Sequence, residues 1–321
     1  MKHVLLGLGA LCSAFSILPA QAQNKPDFQV VLLGTGTPPP LMHRFGPATF
    51  VKVAGKSFLF DAGRGATQRM WQKKIRFGQG LDYIILTHLH SDHVVGLPDV
   101  WLTGWLGGPF GRRKAPLKIM GPKGTENLAT GLMQAYAWDV KTRITDQKLK
   151  PEGAKIAARN IKPGVVYNEG GVKITAFNTE HGKLIKPTLG YRVDYDGRSV
   201  VISGDTKYSK NLIKNSQNVD LLVHSIGAAR KELLESSPLW RRIMDHHITP
   251  EDAGRVFNET KPKLAAFTHV VAATNGKIKP VPPQVMIKRT KTVYQGPLVL
   301  GKDLMTITIA KDGVHVADHK K

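Results

Sequence analysis

The chain has 321 residues, of which 41% are hydrophobic and 22% are charged. This composition suits a sizeable globular core and excludes collagen-like, coiled-coil and disordered proteins. The formal net charge of +22 favours anionic partners such as small anionic esters, nucleic acid or a membrane surface. Because the basic residues are scattered, a solvated basic surface is the simplest interpretation.

Residues 1–22 have the pattern of an export signal. A short polar start precedes the apolar run from Val4 to Leu18, and Ala20-Gln21-Ala22 supplies a small-x-small cleavage site. The apolar run is shorter than the roughly 20 residues that a membrane span needs, which favours a signal peptide over an anchor. We therefore expect a single mature domain of residues 23–321, periplasmic or secreted, without a membrane span.

The only cysteine of the chain, Cys12, lies within that segment. The mature chain would therefore form no disulfide and offer no thiolate to a metal. Any metal ion would have to be bound by histidine and carboxylate side chains.

The rest of the chain alternates short apolar strands with helices, which predicts sheets flanked by helices. A helix should begin at Thr249, because Thr is a good N-cap and is followed by Pro250 and two acidic residues. Helices are predicted over residues 66–74 and 249–260, and strands over residues 28–33, 48–53, 57–60, 83–86, 172–177, 189–195, 199–203, 219–223 and 263–267.

Four potential metal ligands fall within residues 88–93, which read H-L-H-S-D-H and follow an apolar strand directly. Because a strand projects alternate side chains to one face, His88 and His90 should point the same way. The turn that follows would let Asp92 and His93 reach a second position nearby. Imidazole and carboxylate ligands suit zinc, and also iron or manganese. The segment thus predicts a metal site rather than a surface loop with unrelated histidines.

Three further candidate ligands each follow a predicted apolar strand: His181, Asp205 and His269. In each case the strand would deliver the side chain where the chain leaves the sheet, which is how a rigid scaffold presents functional residues. Together with residues 88–93, they supply enough ligands for two metal ions.

The order H-x-H-x-D-H, a lone His, an Asp in S-G-D-T and a final His resembles the metallo-β-lactamase superfamily. Within it the chain looks most like the ribonuclease Z–arylsulfatase branch. That likeness is carried by G-T-G-T at residues 34–37, F-D-A-G at residues 60–63, and His247-Ile248-Thr249 before a helix. It extends from about Phe28 to Ile309.

The resemblance implies an αββα sandwich with two zinc ions per chain, or manganese or iron in their place, at one edge. Asp92 would also take part in catalysis, and Asp61 would either orient a ligand histidine or cap a turn. The implied ligands are His88, His90 and His181 for the first metal, Asp92, His93 and His269 for the second, and Asp205 for both.

The resemblance also implies that His247 stabilises or protonates the leaving oxygen, although neighbouring His246 leaves that assignment open. Two departures bear on it. Ribonuclease Z has His-Glu-Ala-Thr where this chain has His224-Ser225-Ile226-Gly227, so the carboxylate that supports the catalytic histidine is absent. There is also no room between His181 and Asp205 for the tRNA-grasping arm of bacterial ribonuclease Z.

The missing arm and the export signal argue against tRNA as a partner and favour a small anionic ester. We therefore expect an arylsulfatase-like sulfate ester hydrolase. A ribonuclease Z-like phosphodiesterase, a β-lactam or lactone hydrolase, and a non-catalytic metal or anion binder remain as alternatives. Residues 100–110 either wall a pocket for an apolar leaving group or form a buried helix and turn. The sequence identifies no substrate-binding residues, and a homodimer is expected from the resemblance alone.

Overall fold

Two β-sheets form the centre of the computed structural model, which describes residues 27–319. The first sheet has eight strands in the order β15-β14-β1-β2-β3-β4-β5-β6, and the second has seven in the order β13-β12-β11-β10-β9-β8-β7. The strands are β1 Phe28–Gly34, β2 Ala48–Val53, β3 Lys56–Phe60, β4 Tyr83–Ile85, β5 Leu117–Gly121, β6 Ile156–Asn160, β7 Gly164–Glu169, β8 Val172–Asn178, β9 Leu189–Tyr195, β10 Arg198–Ile202, β11 Leu221–Ala228, β12 Leu264–Ala272, β13 Leu298–Leu300, β14 Met305–Ala310 and β15 Gly313–Ala317.

The two sheets pack face to face through a shared apolar core. Val30 and Phe60 of the first sheet and Tyr191 and Val223 of the second belong to one cluster of fully buried side chains. The ring of Tyr191 lies 5.5 Å from that of Phe60, and its hydroxyl donates a hydrogen bond of 2.6 Å to the carbonyl of Leu86. This bond ties the second sheet to the chain that leaves β4.

Helices cover the outer face of each sheet. Met70 and Trp101 pack against the first sheet, and Val256 and Phe257 pack against the second. The layers are helix, sheet, sheet and helix, so the predicted αββα sandwich is confirmed. The helices are α1 Ala66–Gln72, α2 Ser91–Val94, α3 Leu97–Trp105, α4 Thr125–Ala135, α5 Ala137–Gln147, α6 Lys210–Asn215, α7 Lys231–Ser236, α8 Pro238–Met244, α9 Pro250–Thr260 and α10 Pro283–Lys291, with a 3-10 turn at Pro151–Ala154.

The predicted start of α9 is confirmed, since the Thr249 hydroxyl accepts a hydrogen bond from the Asp252 amide. The predicted signal peptide at residues 1–22 lies outside the described residues, so the structure does not test the division at residue 23. Within residues 27–319, no helix combines the length and apolar character needed to cross a membrane.

Candidate metal centre

The segment of residues 88–93 changes from strand to helix within a few residues. It leaves the carboxyl end of β4, and His90 adopts an extended conformation as the residue before α2. Asp92 and His93 then lie in the single turn of α2 and are buried. Because of this change of direction, two of the four side chains point to one position and two to another, as the sequence predicts.

Three histidines converge so that they could hold one metal ion, and we call them the first ligand set: His88, His90 and His181. The Nε2 atom of His88 lies 2.9 Å from Nδ1 of His90, and Nε2 of His181 lies 3.3 Å from the same Nδ1 atom. Ring nitrogens of separate strands and loops that face one another this closely can share a single cation.

The second ligand set contains Asp92, His93 and His269. Oδ2 of Asp92 lies 3.2 Å from Nε2 of His269 and 3.7 Å from Nε2 of His93. This set mixes a carboxylate with two imidazoles, whereas the first contains imidazoles alone.

Asp205 lies between the two sets. Its Oδ2 atom is 3.1 Å from Nε2 of His269, 3.4 Å from Nε2 of His93 and 3.7 Å from Nε2 of His181. The carboxylate therefore faces both sets, as expected of a residue that bridges two metal ions.

The unpartnered atoms at the site fit metal coordination. Nε2 of His93 and Oδ1 of Asp205 are buried, and neither has a hydrogen-bond partner within residues 27–319. A buried polar atom without a partner costs about 1–3 kcal/mol, and a metal ion would satisfy both atoms. The histidine and carboxylate clusters are thus suited to hold two metal ions.

Hydrogen bonds behind the ligands fix the orientation of three imidazole rings. The other ring nitrogen of His93 lies 2.8 Å from a carboxylate oxygen of Asp61, and that of His88 lies 3.0 Å from the Thr87 hydroxyl. The corresponding nitrogen of His181 lies 2.9 Å from the carbonyl of His246. Such contacts select the tautomer that leaves the outer nitrogen free for a metal.

The site keeps most of its ligands in the charge state that metal binding needs. Burial lowers the pKa of His181 to about 4 and holds the pKa of His88 well below its usual value, so both rings are neutral near pH 7. Burial raises the pKa of Asp205, but the neighbouring His269 and His93 outweigh it and hold that pKa well below normal. Without metal, burial lowers the pKa of His93, yet Asp205 and Asp61 raise it well above normal.

A β-bulge in β12 positions His269, and the sequence does not reveal it. Strand β12 was predicted to end before this residue, whereas it continues to Ala272. The pairing of β11 with β12 shifts so that Ser225 opposes Thr268 and Ile226 opposes Val270, which leaves His269 as the extra residue. His269 has a φ of +43°, an uncommon conformation for a residue other than glycine. The bulge re-aims its side chain towards the centre.

His247 lies beside the ligand sets rather than at a distance from them. It falls within one cluster with His181 and Asp205, and its ring stacks 5.6 Å from that of His269. Burial lowers its pKa to about 3, so the ring is neutral. Its Nδ1 atom has no hydrogen-bond partner in the described part of the chain, in agreement with the absence of a supporting carboxylate at Ser225.

A cavity of about 1380 Å³ opens above the ligands, and we call it the metal-centre cleft. Its walls include residues that the sequence did not single out, because they become neighbours only through the loops at this edge. The wall residues outside the ligand sets include Pro38, Lys183, Leu184, Lys207, Tyr208, Trp240 and Ile243.

The alternative that residues 100–110 wall the pocket is wrong, since none of them lines the metal-centre cleft. Trp101 and Trp105 are buried in α3 and donate to the carbonyls of Ala154 and Lys150.

Comparison with protein families gives a match to the beta-lactamase superfamily domain over residues 56–270. Ribonuclease Z of Mycobacterium bovis is 32% identical over 283 residues, which cover 88% of this chain and 98% of the relative. Ribonuclease Z of Mycolicibacterium gilvum is 34% identical over 245 residues, which cover 76% of this chain and 84% of the relative.

Solved structures share the fold at lower identity. The human tRNase Z short form has a TM-score of 0.64 and 21% identity, with 88% of this chain and 99% of that chain covered. The metallo-beta-lactamase fold protein YhfI of Bacillus subtilis has a TM-score of 0.67 and 19% identity, with 88% and 99% covered.

The ribonuclease Z relatives overturn four expectations from the sequence. The arylsulfatase prediction is wrong, since the relatives carry the name of a ribonuclease, and they favour the phosphodiesterase alternative. The same relatives contradict the expectation that tRNA is an unlikely partner. The same relatives lend no support to export, so the expected signal peptide and the periplasmic or secreted localisation are also withdrawn. A missing arm and an apolar first segment are weaker evidence than a match that covers 88% of the chain.

The ordered ligand set, the αββα fold and the extent of these matches agree with one another. The chain belongs to the metallo-β-lactamase superfamily, as a metal-dependent hydrolase of its ribonuclease Z branch.

Proposed function

We propose that this protein hydrolyses phosphodiester bonds in RNA, with tRNA precursors as the first substrate to test. The observation that carries the proposal is the position of Asp205, which faces two ligand sets on the floor of one open cleft. Two adjacent metal ions can stabilise both the attacking and the leaving oxygen of a phosphodiester. The relatives named ribonuclease Z support RNA as the substrate.

We assign His88, His90 and His181 to one metal ion, Asp92, His93 and His269 to the other, and Asp205 to both. Zinc is the metal that we propose, because imidazole and carboxylate ligands without thiolate suit it, and manganese and iron are the alternatives. When bound, the metal ions supply Lewis acidity and lower the pKa of water towards about 7.

His247 is our candidate for the group that stabilises the leaving oxygen. Its neutral ring can donate one N–H hydrogen bond, and nearby metal cations would lower its pKa further. We therefore assign it the role of a hydrogen-bond donor rather than of a proton donor. His246 is the weaker candidate, since the cluster with His181 and Asp205 contains His247 and not His246.

The charge of the chain favours a polyanionic substrate. The formal net charge of +22 raises the local concentration of nucleic acid. Between His181 and Asp205 the chain forms only the loop of residues 182–188 and the β9–β10 hairpin. Contacts to RNA near the centre must therefore come from the rim of the metal-centre cleft.

The test combines metal analysis with two substrates. We expect about two metal ions per full-length chain, hydrolysis of bis(4-nitrophenyl) phosphate, and removal of a 3′ trailer from a tRNA precursor. Asp205→Asn should lower both activities by more than about 100-fold, because it weakens both metal sites.

Asp196→Asn is the matched control. It makes the same chemical change on the turn that follows β9, where the φ of +48° suits asparagine as well as aspartate. Equal activity of the Asp205→Asn and unmodified proteins would refute the metal-dependent mechanism. Cleavage of the small diester without any cleavage of RNA would leave a phosphodiesterase and contradict RNA as the substrate. His247→Ala should lower kcat by about 100- to 1000-fold, as the loss of one positioned donor does, and His246→Ala by much less.

A further inference from the structure

One rim of the metal-centre cleft carries an aromatic side chain on a fixed support. Trp240 of α8 is half-buried and lines the cleft. Its backbone amide donates to the hydroxyl of Ser237, which caps the helix. The next residue, Arg241, donates to the carbonyl of Glu235 at 3.0 Å and joins α8 to α7. The backbone that carries this indole is therefore held by the hydrogen bonds of a helix rather than placed in a free loop.

The loop between β8 and β9 also lines the cleft and carries apolar and basic side chains at neighbouring positions. Leu184 is 98% exposed, and Lys183 and Lys186 are exposed beside it. Neither lysine forms an ion pair with an acidic residue of the described chain, whereas Lys207 pairs with Asp245 at 3.2 Å. The loop packs closely on the turn after α8, since a Cβ at Gly182 would lie 2.9 Å from the ring of His246.

We propose that Trp240 stacks on a nucleobase next to the scissile phosphate, while Lys183 and Lys186 contact the flanking phosphates. This inference rests on the proposed function and names the residues that would hold its substrate. Every nucleobase has a π-face, so that an indole accepts any of them, and grooves for single strands combine such rings with basic side chains.

The depth of the centre favours an unpaired strand over a duplex. The ligands lie on the floor of the cleft, where His181, Asp205 and His269 are buried. A phosphate that reaches this floor brings its neighbouring bases against the walls. In a duplex those bases are stacked and paired inward, and Trp240 could not contact them. The cavity of about 1380 Å³ also exceeds the roughly 300–1000 Å³ of a small-molecule site.

Fluorescence anisotropy of a labelled single strand tests the proposal. The probe is a nuclease-resistant phosphorothioate octamer of 2′-O-methyladenosine, titrated with the metal-loaded full chain at fixed salt. We compare it with an abasic octamer of the same charge. Trp240→Leu keeps the apolar bulk but removes the aromatic face, and should weaken binding of the adenosine octamer by about 5- to 100-fold. Trp240→Phe should stay within about 3-fold of the unmodified protein.

The abasic strand should bind equally to the Trp240→Leu and unmodified proteins, since it has no base to stack. Trp138→Leu is the matched control, because Trp138 is 78% exposed on α5 and does not line the cleft. An equal loss of binding for both strands, or no loss for the adenosine octamer, would overturn the proposal. Melting curves of both leucine variants show whether the fold is kept, and if Trp240→Leu unfolds, Trp240→Met supplies the comparison with Trp240→Phe.

Different results would refute this inference and the proposed function. Cleavage of tRNA precursor with no dependence of strand binding on Trp240 would leave the function standing and refute the stacking role. Binding that depends on Trp240, without cleavage of any phosphodiester, would support the stacking role and refute the function.

Discussion

Replacement of Asp61 by asparagine should weaken one metal site without changing any metal ligand. Oδ1 of Asp61 accepts a hydrogen bond of 2.8 Å from the Thr87 amide. Oδ2 accepts one of 2.8 Å from the Thr87 hydroxyl and faces Nδ1 of His93 at 2.8 Å. For Nε2 of His93 to bind a metal ion, Nδ1 must carry the proton and donate it to Asp61.

Asparagine has the same shape as aspartate but offers only one acceptor oxygen. If that oxygen keeps the Thr87 amide, the side-chain NH₂ group must face Nδ1 of His93, and two donors meet. The ring can then only accept at Nδ1, which moves the proton to Nε2 and blocks the metal. Loss of a contact of this kind weakens metal affinity by about 10- to 100-fold, or about 1.4–2.7 kcal/mol.

The assay is a competition titration with a chromophoric chelator, together with metal analysis after dialysis. We expect one ion to bind about 10- to 100-fold more weakly and the ion at His88, His90 and His181 to change less. Asp82→Asn is the matched control, since Asp82 also accepts a backbone hydrogen bond of 2.8 Å, from Ser57, but at the opposite end of β4 from the ligands. Unchanged affinity in Asp61→Asn would refute the proposed control of the His93 tautomer.

Three further predictions concern stability. His224 is fully buried, and burial lowers its pKa to about 4. The neutral ring is therefore compatible with the fold above the unfolded pKa of about 6.5, and the free energy of unfolding decreases as the pH falls from 6.5 towards 4. His224→Leu should reduce that loss by about 3 kcal/mol, measured by urea unfolding at both pH values, and an unchanged pH dependence would contradict this. Gly63→Ala should destabilise by about 1–3 kcal/mol in thermal unfolding, because its Cβ would lie 2.4 Å from the Gly46 carbonyl carbon. Gly131→Ala is its control and should be neutral or stabilising, since no atom of the described chain lies within 4 Å of the added Cβ. Asp303→Ala should cost about 3–5 kcal/mol in the same urea assay, because the buried carboxylate receives hydrogen bonds from Thr35, Phe45 and Arg69, and a loss below about 1 kcal/mol would show that the pairing is not needed.

Nine of the fifteen strands in residues 27–319 could be predicted, and the candidate ligands could be named, because both obey local rules. Strand β9 has the predicted bounds of 189–195, since its apolar residues face the core between two polar turns. The H-L-H-S-D-H segment carries its own change from strand to helix, so its ligands could be assigned before the fold was known. The structure brings His269 to the other candidate ligands, but the strand pattern alone does not explain how. Its direction depends on a bulge in β12, and a bulge arises from pairing with β11, which no window around residue 269 contains.

The substrate could not be predicted in the same way, because the residues that contact it are not neighbours in the sequence. The metal centre determines which kinds of ester can be attacked. A sulfate monoester and a phosphate diester have the same single negative charge and the same tetrahedral shape, so the centre does not distinguish them. Discrimination between them falls to the cleft rim, where Leu184, Tyr208 and Trp240 come from three separate segments. None of these side chains has a sequence signature, since an exposed leucine or a half-buried tryptophan occurs on many surfaces. A ligand pattern therefore predicts the chemistry of the centre from the sequence, whereas the identity of the substrate requires the loops to be placed in space.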